Sequence, residues 1–81
     1  MEQSTIYRSP VICYEISHSN NAYHIDVYVD GFKNSTLADM HCALLNFSTE
    51  SEIAHRFAKL MSQSAALPIH IPELAEEFLS A

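Results

Sequence analysis

Between residues 22 and 30 the chain alternates strictly: Tyr23, Ile25, Val27 and Val29 hold one set of positions, and His24, Asp26, Tyr28 and Asp30 hold the other. Successive side chains of a strand point to opposite faces, so a period of two predicts a strand with one face on a core and one in water. Half-wet strands belong to antiparallel sheets, because strands covered on both faces read as continuous apolar runs.

A second strand precedes it. In residues 11–18, Ile12, Tyr14 and Ile16 share one side, and Cys13, Glu15 and Ser17 the other. Ser19-Asn20-Asn21 between the two strands tolerates left-handed backbone and predicts a turn, hence an antiparallel hairpin. Asp30-Gly31 marks the end of the hairpin or a second turn. Residues 36–47 read two ways. Thr36 with Asp39 fits a capping box, and Leu37, Met40, Leu44 and Phe47 recur near helical spacing. Met40 to Phe47 also reads as a buried third strand, and this is preferred because a lone hairpin is marginal in water.

Residues 49–64 predict a helix. Thr49 and Glu52 fit a capping box, Glu50 and Glu52 suit the positive end of the dipole, and Ile53, Phe57, Leu60 and Met61 form an apolar stripe. Leu67-Pro68-Ile69-His70-Ile71 is expected to be extended, since residues before proline avoid the helical region. Pro72 then opens a short helix docked by Leu74 and Phe78. The expectation is one α+β domain over residues 1–81: a small antiparallel sheet of two to three strands, with a capped amphipathic helix and a short C-terminal helix packed on one face.

The chemistry-bearing residues are scattered. Neither a Cys/His cluster nor an HExxH motif occurs around His18, His24, His41, His55 and His70, and a single glycine cannot build a phosphate-binding loop. Cys42 beside His41 would point to the opposite face of a strand. No catalytic residue, metal or cofactor is expected, and the chain does not read as an enzyme. Met1-Glu2-Gln3-Ser4 lacks the basic and apolar regions of a signal peptide, and no apolar stretch reaches the roughly 18 residues of a membrane span. A cytoplasmic protein with passive, reduced thiols at Cys13 and Cys42 follows as the expectation.

Ten acidic residues against four basic ones give a formal charge of −6, the reverse of a nucleic-acid binder. Such a surface is attracted to basic protein surfaces, or simply keeps the chain in solution. The candidate binding patch is the wet strand row His24, Asp26, Tyr28 and Asp30, joined by Glu15 if the hairpin aligns it. Tyrosine supplies rigid contact area, and carboxylates pair bidentately with arginine. The same row also reads as an ordinary solvated face. Glu73, Glu76 and Glu77 on the C-terminal helix form a secondary patch.

In size, acidity and the order of a hairpin, Ala22-Tyr23-His24-Ile25-Asp26-Val27-Tyr28-Val29-Asp30-Gly31, before a helix beginning Phe47-Ser48-Thr49-Glu50, the chain resembles the small anti-CRISPR proteins of phages and mobile elements. The likeness spans roughly residues 11–64, and because that group shares no diagnostic motif, no functional residue carries over. It implies a stoichiometric inhibitor that binds a CRISPR effector and blocks DNA recognition or cleavage, in the host cytoplasm if phage-encoded. The alternatives are an antitoxin or immunity protein that neutralises a nuclease, a small enzyme or metal protein, and a homodimeric structural protein. The expected partner is a protein with a basic surface, not nucleic acid or membrane, and the chain itself is a monomer or homodimer.

Overall fold

The computed structural model describes residues 5–80, so the N-terminal reading at Met1–Ser4 lies outside the described residues. Four strands, β1 (Thr5–Arg8), β2 (Ile12–Ser19), β3 (Ala22–Val29) and β4 (His41–Ser48), pair antiparallel in sequence order. Helix α1 (Ser51–Ser64), a 3₁₀ turn (Pro68–His70) and α2 (Ile71–Ser80) follow. The domain is α+β, with both helices on one face.

The β2–β3 hairpin is as the alternation predicts. Asn20 and Asn21 both take positive φ, 54° and 62°, between the paired residues Ser19 and Ala22. This is the primed turn whose twist matches its strands. Tyr14, Ile25 and Val27 lie wholly buried under α1, with Ile12 and Ile16 beside them.

The sheet has four strands rather than two or three. β1 has only four residues, too few for alternation to register, but Tyr7 lies opposite Tyr14 and packs on the core. Residues 36–47 resolve into turns followed by β4; Met40 N–H and His41 N–H both donate to Leu37 C=O. The register of β3 and β4 breaks between Tyr23 and Ile25, and a bulge with Asn46 at φ 54° turns Phe47 into the core.

The α1 capping box does not form. The N-cap is Glu50, without a side-chain cap, and Ser48 Oγ accepts from Glu50 N–H at 3.0 Å. The buried stripe is Ala54, Phe57, Ala58 and Met61, with Ile53 at its margin, while Leu60 is exposed. The buried face thus runs through the two alanines, Ala54 and Ala58, and leaves Leu60 outside it. The segment after Leu67 is not extended. Leu67 itself is, but His70 N–H closes a turn on Leu67 C=O and Ile71 is helical despite preceding Pro72. Complete burial of Ile71 outweighs the steric preference.

Helix α1 ends on Ala65, left-handed at φ 53°, with Ala66 N–H donating to Met61 C=O. This Schellman-type ending favours glycine. Ala65→Gly is expected to raise stability by about 0.5–1 kcal/mol. Phe57→Ala should cost about 3–5 kcal/mol, enough to unfold a small domain. Thr49→Ala, which removes no cap, should stay within about 0.5 kcal/mol. Thermal and urea melts of the three variants check all of these, and a wild-type melt for Phe57→Ala would refute the packing of α1.

Candidate functional site

The sheet face turned away from the helices carries Ile6, Arg8, Cys13, Glu15, Ser17, His24, Asp26, Tyr28, His41 and Ala43 by register. Glu15 lies directly opposite Asp26 on β2 and β3, as the hairpin alignment required. Like charges facing each other across strands are destabilising. Each carboxylate of the row has a cation or imidazole of the same chain beside it. Lys33 Nζ lies 2.9 Å from Glu15 Oε1, Arg8 Nη2 lies 3.3 Å from Asp30 Oδ2, and His41 Nε2 lies 3.5 Å from Asp26 Oδ1. The last is a close approach rather than a hydrogen bond, since His41 Nε2 is buried with no hydrogen-bond partner among the described residues.

The row is wet only in part: Asp30 is exposed and Glu15, His24 and Asp26 are half-buried, but Tyr28 is enclosed. Tyr28 is only 7% exposed and its cross-strand partner Cys13 only 3%. Tyr28 donates its hydroxyl to Glu15 Oε1 at 3.1 Å, the Lys33 ammonium stands 5.8 Å over its ring, and the His41 ring meets it edge-on. Lys33 sits in the turns that join β3 to β4. Neither Lys33, His41 nor Arg8 carries a spacing signal, because loop and edge residues reach the row only through tertiary folding.

His24 has a structural part. Asn46 N–H donates to its Nδ1 at 2.8 Å, which leaves Nε2 as the donor toward Ser19. The imidazole thus ties the β4 bulge to the hairpin turn. Asp30 is exposed, and its pair with Arg8 is of the surface kind that contributes little.

Ionisation on this face, and at Cys42 on the opposite face of β4, runs against nucleophilic chemistry. Burial first, then the charge and hydrogen bond of Glu15, push Tyr28 up to about 12. The hydrogen bond and charge of Glu15 also raise Lys33, and burial followed by Asp26 raises the Cys42 thiol. All three keep their protons at neutral pH, so Cys42 is a weak nucleophile and Lys33 a fixed cation. Among the described residues no group of three His, Cys, Asp or Glu side chains is placed to hold a metal ion.

The second predicted patch has the opposite character. Glu73, Glu76 and Glu77 are exposed on α2, and none has an ion pair among the described residues. Leu74, Ala75 and Phe78 dock the other side of the helix, and Leu79 stands exposed near its end. Helix electrostatics accounts for Glu73 in the first turn but not for Glu77 near the C-terminal end, where negative charge is unfavourable and no basic residue compensates.

A raised tyrosine value means that the folded chain holds this proton more tightly than the unfolded chain. The resulting stability is complete below about pH 10 and is lost as pH rises through about 12. Melts from about pH 9 to 12 should show the wild type losing stability more steeply than Tyr28→Phe. Tyr14 and Lys33, both also raised, leave a residual slope in the variant. Equal slopes in the two proteins would overturn the Tyr28–Glu15 assignment.

Among the described residues no helix is long and apolar enough to cross a membrane. Comparison with protein-family models, curated proteins and solved structures gives no match for this chain.

Proposed function

We propose that this chain is a stoichiometric protein-binding inhibitor that places the acidic face of α2 on a basic surface of its partner, one that otherwise holds nucleic acid. The observation that carries the reading is the unequal treatment of the carboxylates. Those of the sheet face have a cation or imidazole of the same chain beside them, whereas Glu73, Glu76 and Glu77 stand exposed without one among the described residues. Unneutralised carboxylates on a rigid helix are suited to lysine and arginine of another protein. The order of preference from the sequence is thereby reversed: the α2 trio becomes the leading docking surface, and the row Glu15, His24, Asp26, Tyr28 and Asp30, on the sheet face turned away from the helices, is read as structural.

In its finer form the proposal makes the partner a CRISPR effector, as the resemblance to small anti-CRISPR proteins implies. The chain's charge of −6 supports a basic target. The purified protein, titrated into DNA-cleavage reactions of a panel of CRISPR effector nucleases, should block at least one at near-equimolar ratio. Glu73→Lys combined with Glu76→Lys and Glu77→Lys should weaken the block about a hundredfold or more while the circular dichroism melt is retained. No inhibition of any effector, even in large molar excess, would refute the CRISPR reading. Undiminished inhibition by the folded triple variant would refute the α2 surface.

A further inference from the structure

We propose that two copies of this chain pair through the free edge of β4, forming a two-fold dimer with one continuous antiparallel sheet. Among the described residues strand β4 is paired on one side only, to β3. Val29 N–H donates to Met40 C=O, so Met40 and the residues in step with it, Cys42 and Leu44, turn their backbone groups toward β3. Ala43 and Leu45 then turn theirs outward. The outward side of His41 is already occupied, because its N–H donates to Leu37 C=O, and at the other end the left-handed backbone of Asn46 breaks the extended strand, its N–H turned inward to His24 of β3. Among the described residues, what remains open is a short stretch with two donors and two acceptors.

That stretch is complementary to itself. A two-fold axis at Leu44 sets Ala43 of one copy opposite Leu45 of the second, and Leu45 opposite Ala43. Each of the two pairs can exchange both backbone bonds, and all four groups on each copy are satisfied. With the two-fold axis normal to the sheet the pairing is antiparallel, and every contact occurs twice. The apolar side chains agree: Leu45 is 73% exposed and Ala43 is exposed, and the axis brings each against the other.

The charge distribution favours a second copy over a charged partner at this edge. Strands that must stay unpaired usually carry lysine, proline or inward charges. Strand β4, His-Cys-Ala-Leu-Leu-Asn-Phe-Ser, has no Lys, Arg, Asp, Glu or Pro, although the whole chain carries −6. At the other edge β1 has four residues and ends on Arg8, held by Asp30. Two chains of equal negative charge can approach most closely where neither presents any. The contact is small beside the roughly 1,000 Å² of a stable interface, so the dimer should be weak and form only toward high chain concentration.

Sedimentation velocity and light scattering on the full chain test this, from about 5 to 500 µM. Twice the chain mass should appear at high concentration. Leu45→Lys and Ala43→Pro should stay monomeric over the range and keep wild-type circular dichroism, because the Ala43 N–H does not serve β3. Leu79→Lys, an exposed apolar position on α2, should dimerise like the wild type. Raising salt from about 0.05 to 0.5 M should strengthen the dimer by screening the like charge of the two copies. A wild type that stays monomeric at the highest concentration overturns the proposal. So do a dimer that survives both edge substitutions, one abolished by Leu79→Lys, and one that salt dissolves.

Discussion

The fold depends on one contact, the meeting of Phe47, Phe57 and Phe78. Their ring centres lie 4.9 Å apart for Phe47–Phe57, 5.2 Å for Phe57–Phe78 and 6.3 Å for Phe47–Phe78. One ring comes from β4, one from α1 and one from α2, so the trio joins sheet and helices at a single point. Aromatic groups of this size dominate the energetics of a thin core. Polar ties secure its flanks: Tyr14 donates to the carbonyl of Ala66 just beyond α1, and the Tyr7 hydroxyl lies 3.0 Å from His55 Nδ1. The direction in which α2 presents its carboxylates follows from the seating of Phe78.

Around this core the charges divide by layer. The sheet face places two carboxylates opposite each other; the Lys33 ammonium reaches Glu15 from outside the hairpin, and the His41 ring stands beside Asp26. Folding the β3–β4 connection across the sheet also encloses Tyr28, whose hydroxyl completes the coordination of Glu15. On the helical side no ion pair reaches the α2 carboxylates among the described residues.

Much of this was legible from short-range pattern. The period of two in β3, the asparagine turn and the apolar spacing of α1 each reflect a local geometry that repeats within a few residues. What was not legible depends on distance. β1 is too short to show a period, and the placement of Lys33 over Tyr28 arises from turns with no periodic signature. The wet-face expectation failed at Tyr28 because alternation reports which side of a sheet a residue occupies, not whether a loop later covers that side. The capping box at Thr49 failed because Ser48 holds the Glu50 amide and the helix starts one residue later than the motif implies.

The strand order has a kinetic consequence. Every strand pairs with its neighbour in sequence, and the central hairpin closes through two residues. Closing short loops costs little entropy, and sheets dominated by such local pairings form faster than those that wait for distant segments. The slower event is the return of α1 across β1 and β2. A chain wired in this order shortens the interval in which its uncharged β4 segment is unpaired in a partly folded state, the state from which aggregation starts.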